Sequence, residues 1–202
     1  MDAAELAPGL WRWTAPHPAW RADAEPGDAG DWDPNVGCVL ALDAERAVFV
    51  DPLLPADEAA FWAWSDEAVG ARPVHVLTTI RFHGRSREAV AARYGGEVVT
   101  SLRRVPTGVQ ALRFRAADET MFWLRGHAAL VPGDRIIGAE PTGVRLCPDS
   151  WLTYLTPPLT QPELRAMLRP LLDVPVERVL VSHGAPLLSG GAAALAALLH
   201  EN

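Results

Sequence analysis

Two runs of this sequence end in side chains able to ligate a metal or to move a proton. Val131–Pro–Gly–Asp134 closes an apolar run with a carboxylate, and Val179–Leu–Val–Ser–His183–Gly184 closes another with an imidazole. His83 follows the apolar run 74–78, and Asp51 ends the run 47–50 just before Pro52. Imidazole and carboxylate are the ligand types of divalent ions and the usual general acids and bases. The plainer alternatives are a Gly-Asp turn, a turn histidine, a loop histidine and a strand-end turn before proline. Other chemistries are excluded outright. All eighteen cationic side chains are Arg, so the chain offers no Schiff-base lysine, no P-loop lysine and no Ser-Lys pair. Neither G-x-S-x-G nor G-x-G-x-x-G occurs, which argues against a nucleophile-elbow hydrolase and a dinucleotide fold.

The elements that must carry these residues follow from pattern. Runs 37–42 and 47–50 read as a hairpin joined by Asp43–Arg46. Residues 55–69 and 86–94 have helical character, closed by Gly70 and by Gly95-Gly96. Residues 74–78 are a short buried strand between them, and 97–100 is the next strand. The middle of the chain turns to β at 110–115, 121–124, 129–131, 136–137 and 144–146. A helix over 161–172, a strand over 179–182 and an Ala/Leu helix over 191–200 complete the pattern. Strand-rich halves, each followed by helices, predict two sheets packed together with helices outside. The consecutive hairpins argue against a doubly wound sheet.

Length and composition fit one domain over residues 1–202. Residues 1–35 hold Trp11, Trp13, Trp20 and Trp32 among prolines. They read as a covering segment with one hairpin strand near 9–13 and an exposed acidic loop at 21–33. The net charge of −7 lacks a basic stripe, so no nucleic-acid partner is expected. No apolar run reaches the ~18 residues of a spanning helix, and the N-terminus is acidic; no membrane association and a cytoplasmic location are expected. Cys38 and Cys147 read as two buried thiols.

Taken together, the Val48–Pro52 strand, the loop after residue 77, the Gly-Asp strand end and the late His-Gly resemble the metallo-β-lactamase-fold hydrolases over nearly the whole chain. The resemblance implies a four-layer αββα sandwich with metals at one edge between the sheets. It also implies that Asp134 matches the carboxylate bridging two metals, and that His183 matches the late histidine of the second metal. The chain departs from the family in the loop that should read T-H-x-H-x-D-H. It reads Thr78–Thr79–Ile80–Arg81–Phe82–His83–Gly84. Aligned without a gap from Thr78, Thr79 and Arg81 replace the histidines of the first metal and His83 falls on the aspartate of the second. With a one-residue deletion His83 falls on the final histidine. In either register it stays on the second-metal side while the first-metal pair is lost. Residues 115–120, where that metal's third histidine would lie, contain none.

A single site of His83, Asp134 and His183 is what the resemblance leaves, with zinc or another divalent ion as cofactor, or none. Two imidazoles and one carboxylate match a catalytic zinc site with an open water position. Asp51 is the candidate carboxylate anchoring or assisting that site. The implied activity is attack by activated water on a small-molecule ester, thioester, amide or phosphoester. The alternative is a non-catalytic relative in which Arg81 bonds to Asp134 or Asp51 and fills the first-metal position, the cleft then binding an anion or a partner protein. An Arg and a dication ~4 Å apart repel by roughly 8 kcal/mol at an effective dielectric of 20, so Arg81 and a first metal exclude one another. Arg81 pointing inward favours the second reading; Arg81 outward with His83 inward favours the first. His75 and His127 read as structural and His200 as tail. His17 and one of the N-terminal tryptophans are lesser candidates for the site mouth.

Overall fold

The computed structural model describes residues 3–25 and 27–200; Met1, Asp2, Pro26, Glu201 and Asn202, parts of the acidic terminus, the acidic loop and the tail noted above, lie outside the described residues. The described residues form twelve strands and four α-helices: β1 Ala3–Ala7, β2 Leu10–Pro16, β3 Asn35–Leu42, β4 Ala47–Val50, α1 Glu58–Val69, β5 Val74–Leu77, α2 Arg87–Tyr94, β6 Glu97–Val98, β7 Val109–Phe114, β8 Glu119–Leu124, β9 Ala129–Val131, β10 Ile136–Gly138, β11 Val144–Leu146, α3 Gln161–Leu168, β12 Arg178–Val179 and α4 Gly191–His200. One sheet runs β1-β2-β3-β4-β5-β6 and a second β12-β9-β8-β7, with β10-β11 as a separate hairpin.

The period-two patterning of the strands explains the layers. In β3, Val36, Cys38 and Leu40 join a cluster with Phe61, Val69, Val90 and Ala91 of α1 and α2. Their neighbours Val39 and Ala41 join a different cluster with Phe122, Leu124, Ala129 and Val131 of the other sheet. In β4, Ala47 and Phe49 face the helices while Val48 and Val50 face the opposite sheet. Met121 and Leu130 turn the other way, toward Leu164, Leu168, Leu195, Leu198 and Leu199 of α3 and α4. Strands buried on both faces need apolar residues at successive positions, which is what these runs supply. Three apolar interfaces therefore separate four layers in the order α, β, β, α.

Element boundaries differ from expectation where a cap intervenes. The first helix begins at Glu58 rather than 55 because the Asp57 side chain accepts the Ala60 N–H. The helix expected over 161–172 opens on a Thr160–Glu163 capping box but ends at Leu168. Pro170, which has no N–H to donate, sits in the tighter turn Arg169–Asp173 that follows. The N-terminal segment divides. Its first part forms two strands, β1 and β2, of the six-stranded sheet, with Trp13 in the core; only the stretch after Pro16 lies over the sheet edge. Cys38 and Cys147 are both free and buried. Among the described residues no helix is long and apolar enough to cross a membrane.

Two parallel strand pairs direct the chain to one edge. Strands β4 and β5 run parallel in the first sheet, and β9 and β12 run parallel in the second. The segments leaving their C-terminal ends carry Asp51, His83, Asp134 and His183. Backbone bonds join the two sheets there, from Gly37 N–H to Ser182 C=O at 2.7 Å and from Thr120 N–H to Thr79 C=O at 2.8 Å.

Candidate metal centre

Asp51 leaves β4 with φ +50 and is almost wholly buried. That conformation turns its carboxylate back under the loop that follows β5. Oδ1 accepts the Thr79 N–H at 2.8 Å, and Oδ2 accepts both the Thr79 hydroxyl and the Nδ1–H of His83, the latter at 2.8 Å. Thr79 is thus a brace for Asp51. The short turn Arg81–Gly84 then presents the far side of the His83 ring. His83 Nε2 lies 3.0 Å from Asp134 Oδ1, and His183 Nε2 lies 3.3 Å from the same oxygen.

Asp134 is held from behind by Glu119, the first residue of β8 and fully buried. Its carboxylate accepts the N–H groups of Gly133, Asp134 and Arg135 at 3.0, 2.8 and 3.0 Å. Gly133 is required at this turn, since a Cβ there would stand 2.8 Å from Thr79 Oγ1 and 3.0 Å from Glu119 Oε2. Arg135, also fully buried, lies 3.8 Å from Glu119 and donates to the carbonyls of Ala117 and Trp151 and to the Tyr154 hydroxyl. His183 is fixed by its own carbonyl, which accepts the Gly138 N–H at 2.9 Å. The next residue, Gly184, has φ +84 and packs on the Gly138 backbone. The Gly after His183 thus satisfies both a left-handed conformation and a close approach.

The electrostatics follow from this packing. Burial alone would raise the Asp134 carboxyl, but the charge on His83 and the close approach of both imidazoles hold it well below the usual carboxylate range. Burial alone would lower His83; Asp134 and Asp51 outweigh burial and Arg85 and raise it to about 9. His183 moves the other way, lowered by burial against the pull of Asp134. Burial pushes Glu119 up to about 7, against Arg135 and the backbone donors.

Arg81, expected at the cleft, turns away from Asp134 and Asp51. Its side chain is 59% exposed, pairs with Asp118 at 3.5 Å and lies over the rings of Phe82 and Tyr154. The guanidinium that borders the cleft belongs to Arg85, which donates to the carbonyls of Gly37 and Asp51 and to the Ser182 hydroxyl. Together with His83, Asp134 and His183 it faces a cavity of about 270 Å³, walled by His17, Trp32, Phe82, Trp151 and Tyr154. Trp32 and Trp151 set their edges against the His183 ring, with centroids 5.3 and 5.0 Å away. Burial lowers His17 to about 4, so the wall imidazole is neutral. His75 and His127 are absent from this cavity. Sequence reasoning did not single out Glu119, Arg85, Trp151 or Tyr154. A glutamate opening the apolar run Thr120–Leu124 is a signal that could have found the first; nothing in the sequence distinguishes Arg85 from Arg81 or Arg87.

The donor set suits one metal ion. The three ligating atoms lie within 4.8 Å of one another. Metal bonds of about 2.0–2.1 Å in a tetrahedron place ligands about 3.3 Å apart, the spacing seen around Asp134 Oδ1. Oδ1 is buried, yet neither imidazole contact has hydrogen-bond alignment. Oδ1 and the two Nε2 atoms thus stand close together without a hydrogen bond between them. The carboxylate on the far nitrogen of His83 is the usual outer partner of a metal-bound imidazole.

No family model matches the sequence, and no curated protein matches it significantly. Solved structures do. The DIM-1 metallo-β-lactamase superposes with a TM-score of 0.62 over 98% of this chain and 95% of its own, at 12% identity. A metallo-β-lactamase from Erythrobacter litoralis gives a TM-score of 0.57 over 99% and 96%, at 13% identity. The chain has the metallo-β-lactamase fold. At this level of identity the likeness is one of architecture, and the metallo-β-lactamase fold here carries a possible His/Asp/His metal site built from its own residues.

Proposed function

We propose that this chain is a hydrolase working with one metal ion, held by His83, Asp134 and His183, and acting on a small ester, thioester, amide or phosphoester. The observation that carries the reading is the convergence of the two imidazoles on the unaligned Asp134 Oδ1, with Asp51 behind His83. Two nitrogens and one oxygen favour zinc, which in such a site acts as a Lewis acid and brings a water's pKa near neutrality. The protein's share is positional. Asp51 and Thr79 fix the orientation of His83, and Glu119 fixes Asp134 through its backbone. Arg85 sets a permanent positive charge at the cavity wall, suited to an oxygen that gains charge during attack. Trp32, Phe82, Trp151 and Tyr154 exclude water and bind the apolar part of the substrate.

Protein purified without added metal, then titrated with zinc, should bind one equivalent with two protein imidazoles. Hydrolysis of a panel of aryl esters and thioesters should appear with that equivalent and vanish in His183→Ala. Less than a tenth of an equivalent bound, unrestored by titration, would overturn the proposal. An outward Arg81 with His83 turned inward favours this reading over the non-catalytic one.

A further inference from the structure

A second groove, of about 680 Å³, lies behind Arg81 and shares no lining residue with the cavity of the candidate metal centre. It opens where the C-terminal ends of β5 and β6 meet the β7–β8 hairpin of the other sheet. The C-terminal edge of parallel strands is where α/β sheets commonly bind ligands. Four arginines line it: Arg81, Arg87, Arg113 and Arg115. Arg113 lies near the end of β7 and Arg115 in the turn just after it, and both line the groove. Against them stands a single lining carboxylate, Asp118, 3.5 Å from both Arg81 and Arg113. Arg87 reaches only the exposed Glu88, and Arg115 has neither ion pair nor side-chain hydrogen bond among the described residues. Four arginines against one carboxylate leave the groove cationic on a chain of net charge −7.

A further group in the groove lacks a partner. The Thr78 hydroxyl is buried and makes no hydrogen bond, in a wall that also holds Thr100 and Thr120. The remaining wall is apolar: Ile80, Val99, Leu102, Val105 and Phe122, with Leu102 51% exposed. Guanidinium forks match the planar or tetrahedral oxygens of carboxylate and phosphate. The volume is that of a small-molecule site. We propose that this groove binds a small amphipathic anion, its phosphate or carboxylate head on Arg87, Arg113 and Arg115 and its apolar body on Leu102 and Val105. The site is independent of the metal centre.

Titration calorimetry on the full chain, with zinc and after EDTA treatment, would use phenyl phosphate, benzoate and inorganic phosphate as probes. Saturable binding of phenyl phosphate or benzoate, tighter than inorganic phosphate and equal with and without zinc, is expected; whichever aryl anion binds names the head. Arg115→Ala should weaken it about tenfold or more, since hydrogen bonds to charged groups are strong. Arg115→Lys should recover part of the loss, and His183→Ala should change nothing. If Arg115→Ala does not fold, Arg87→Ala is the substitute with the same expectation. No saturable binding, binding indifferent to both arginine variants, or binding that needs zinc and is lost in His183→Ala would each overturn the proposal. That last result would leave the metal reading standing, so the two fail separately.

Discussion

His83 is the residue on which the site turns, because both of its nitrogens are committed. Nδ1 donates to Asp51 and Nε2 faces Asp134, so the ring cannot rotate without breaking a buried contact. Asp51→Asn would present an amide in place of the carboxylate and loosen that orientation. Zinc affinity should fall about 10–100-fold in a chelator-competition titration. The raised pKa of His83 adds a pH dependence. In the metal-free protein its proton persists up to about pH 9, and zinc must displace it. Apparent zinc affinity should therefore rise about tenfold per pH unit from pH 7 toward 9 and then level. Zinc calorimetry in buffers of different protonation enthalpy would read the released proton. The sign for stability is opposite. The folded pKa lies above the unfolded value of about 6.5, so the stabilisation from this proton is complete below pH 6.5. It is lost as pH rises through about 9, and the denaturation midpoint of metal-free protein should decline over that window.

At the scale of elements, two devices place the ligands. Glu119 ties the β9–β10 turn to the start of β8 through three N–H groups and faces Arg135 in a fully buried setting. Glu119→Ala would strand Arg135 and three donors. Urea unfolding should show a loss of about 3–5 kcal/mol, with Glu119→Gln losing less. The second device is the turn at Gly184. Its positive φ strains any side chain, and an added Cβ would stand a tight 3.1 Å from the Gly138 Cα. Gly184→Ala should cost about 1–3 kcal/mol and shift His183, read as a lower denaturation midpoint together with weaker zinc binding. A structural role confined to the strand would lower the midpoint alone.

Across the whole molecule, the two sheets each send one parallel strand pair to the same edge, and the ligands come from both. His83 belongs to the first sheet's loops; Asp134 and His183 belong to the second's. An ion bound there would cross-link the sandwich. Zinc at 100 times its dissociation constant should stabilise the chain by about 2.7 kcal/mol, raising the melting temperature about 5–10 °C. EDTA should reverse the shift, and His183→Ala should abolish it.

The sequence by itself determined the layers. Runs such as Val36–Ala41 and Ala47–Val50 are apolar at successive positions, which only a strand covered on both faces can use, and the capped amphipathic stretches supply the covers. It also put Asp134 and His183 just past the ends of apolar runs, because a strand's end fixes where the next side chains lie. Tertiary structure decided the rest. Whether Arg81 or Arg85 faces the cleft depends on which partners, Asp118 and Tyr154 or Gly37 and Ser182, lie within reach across the fold. Glu119 becomes an anchor only because β8 passes beneath a turn fourteen residues later. Such pairings depend on distances between segments remote in sequence, and those distances exist only once the two sheets have packed.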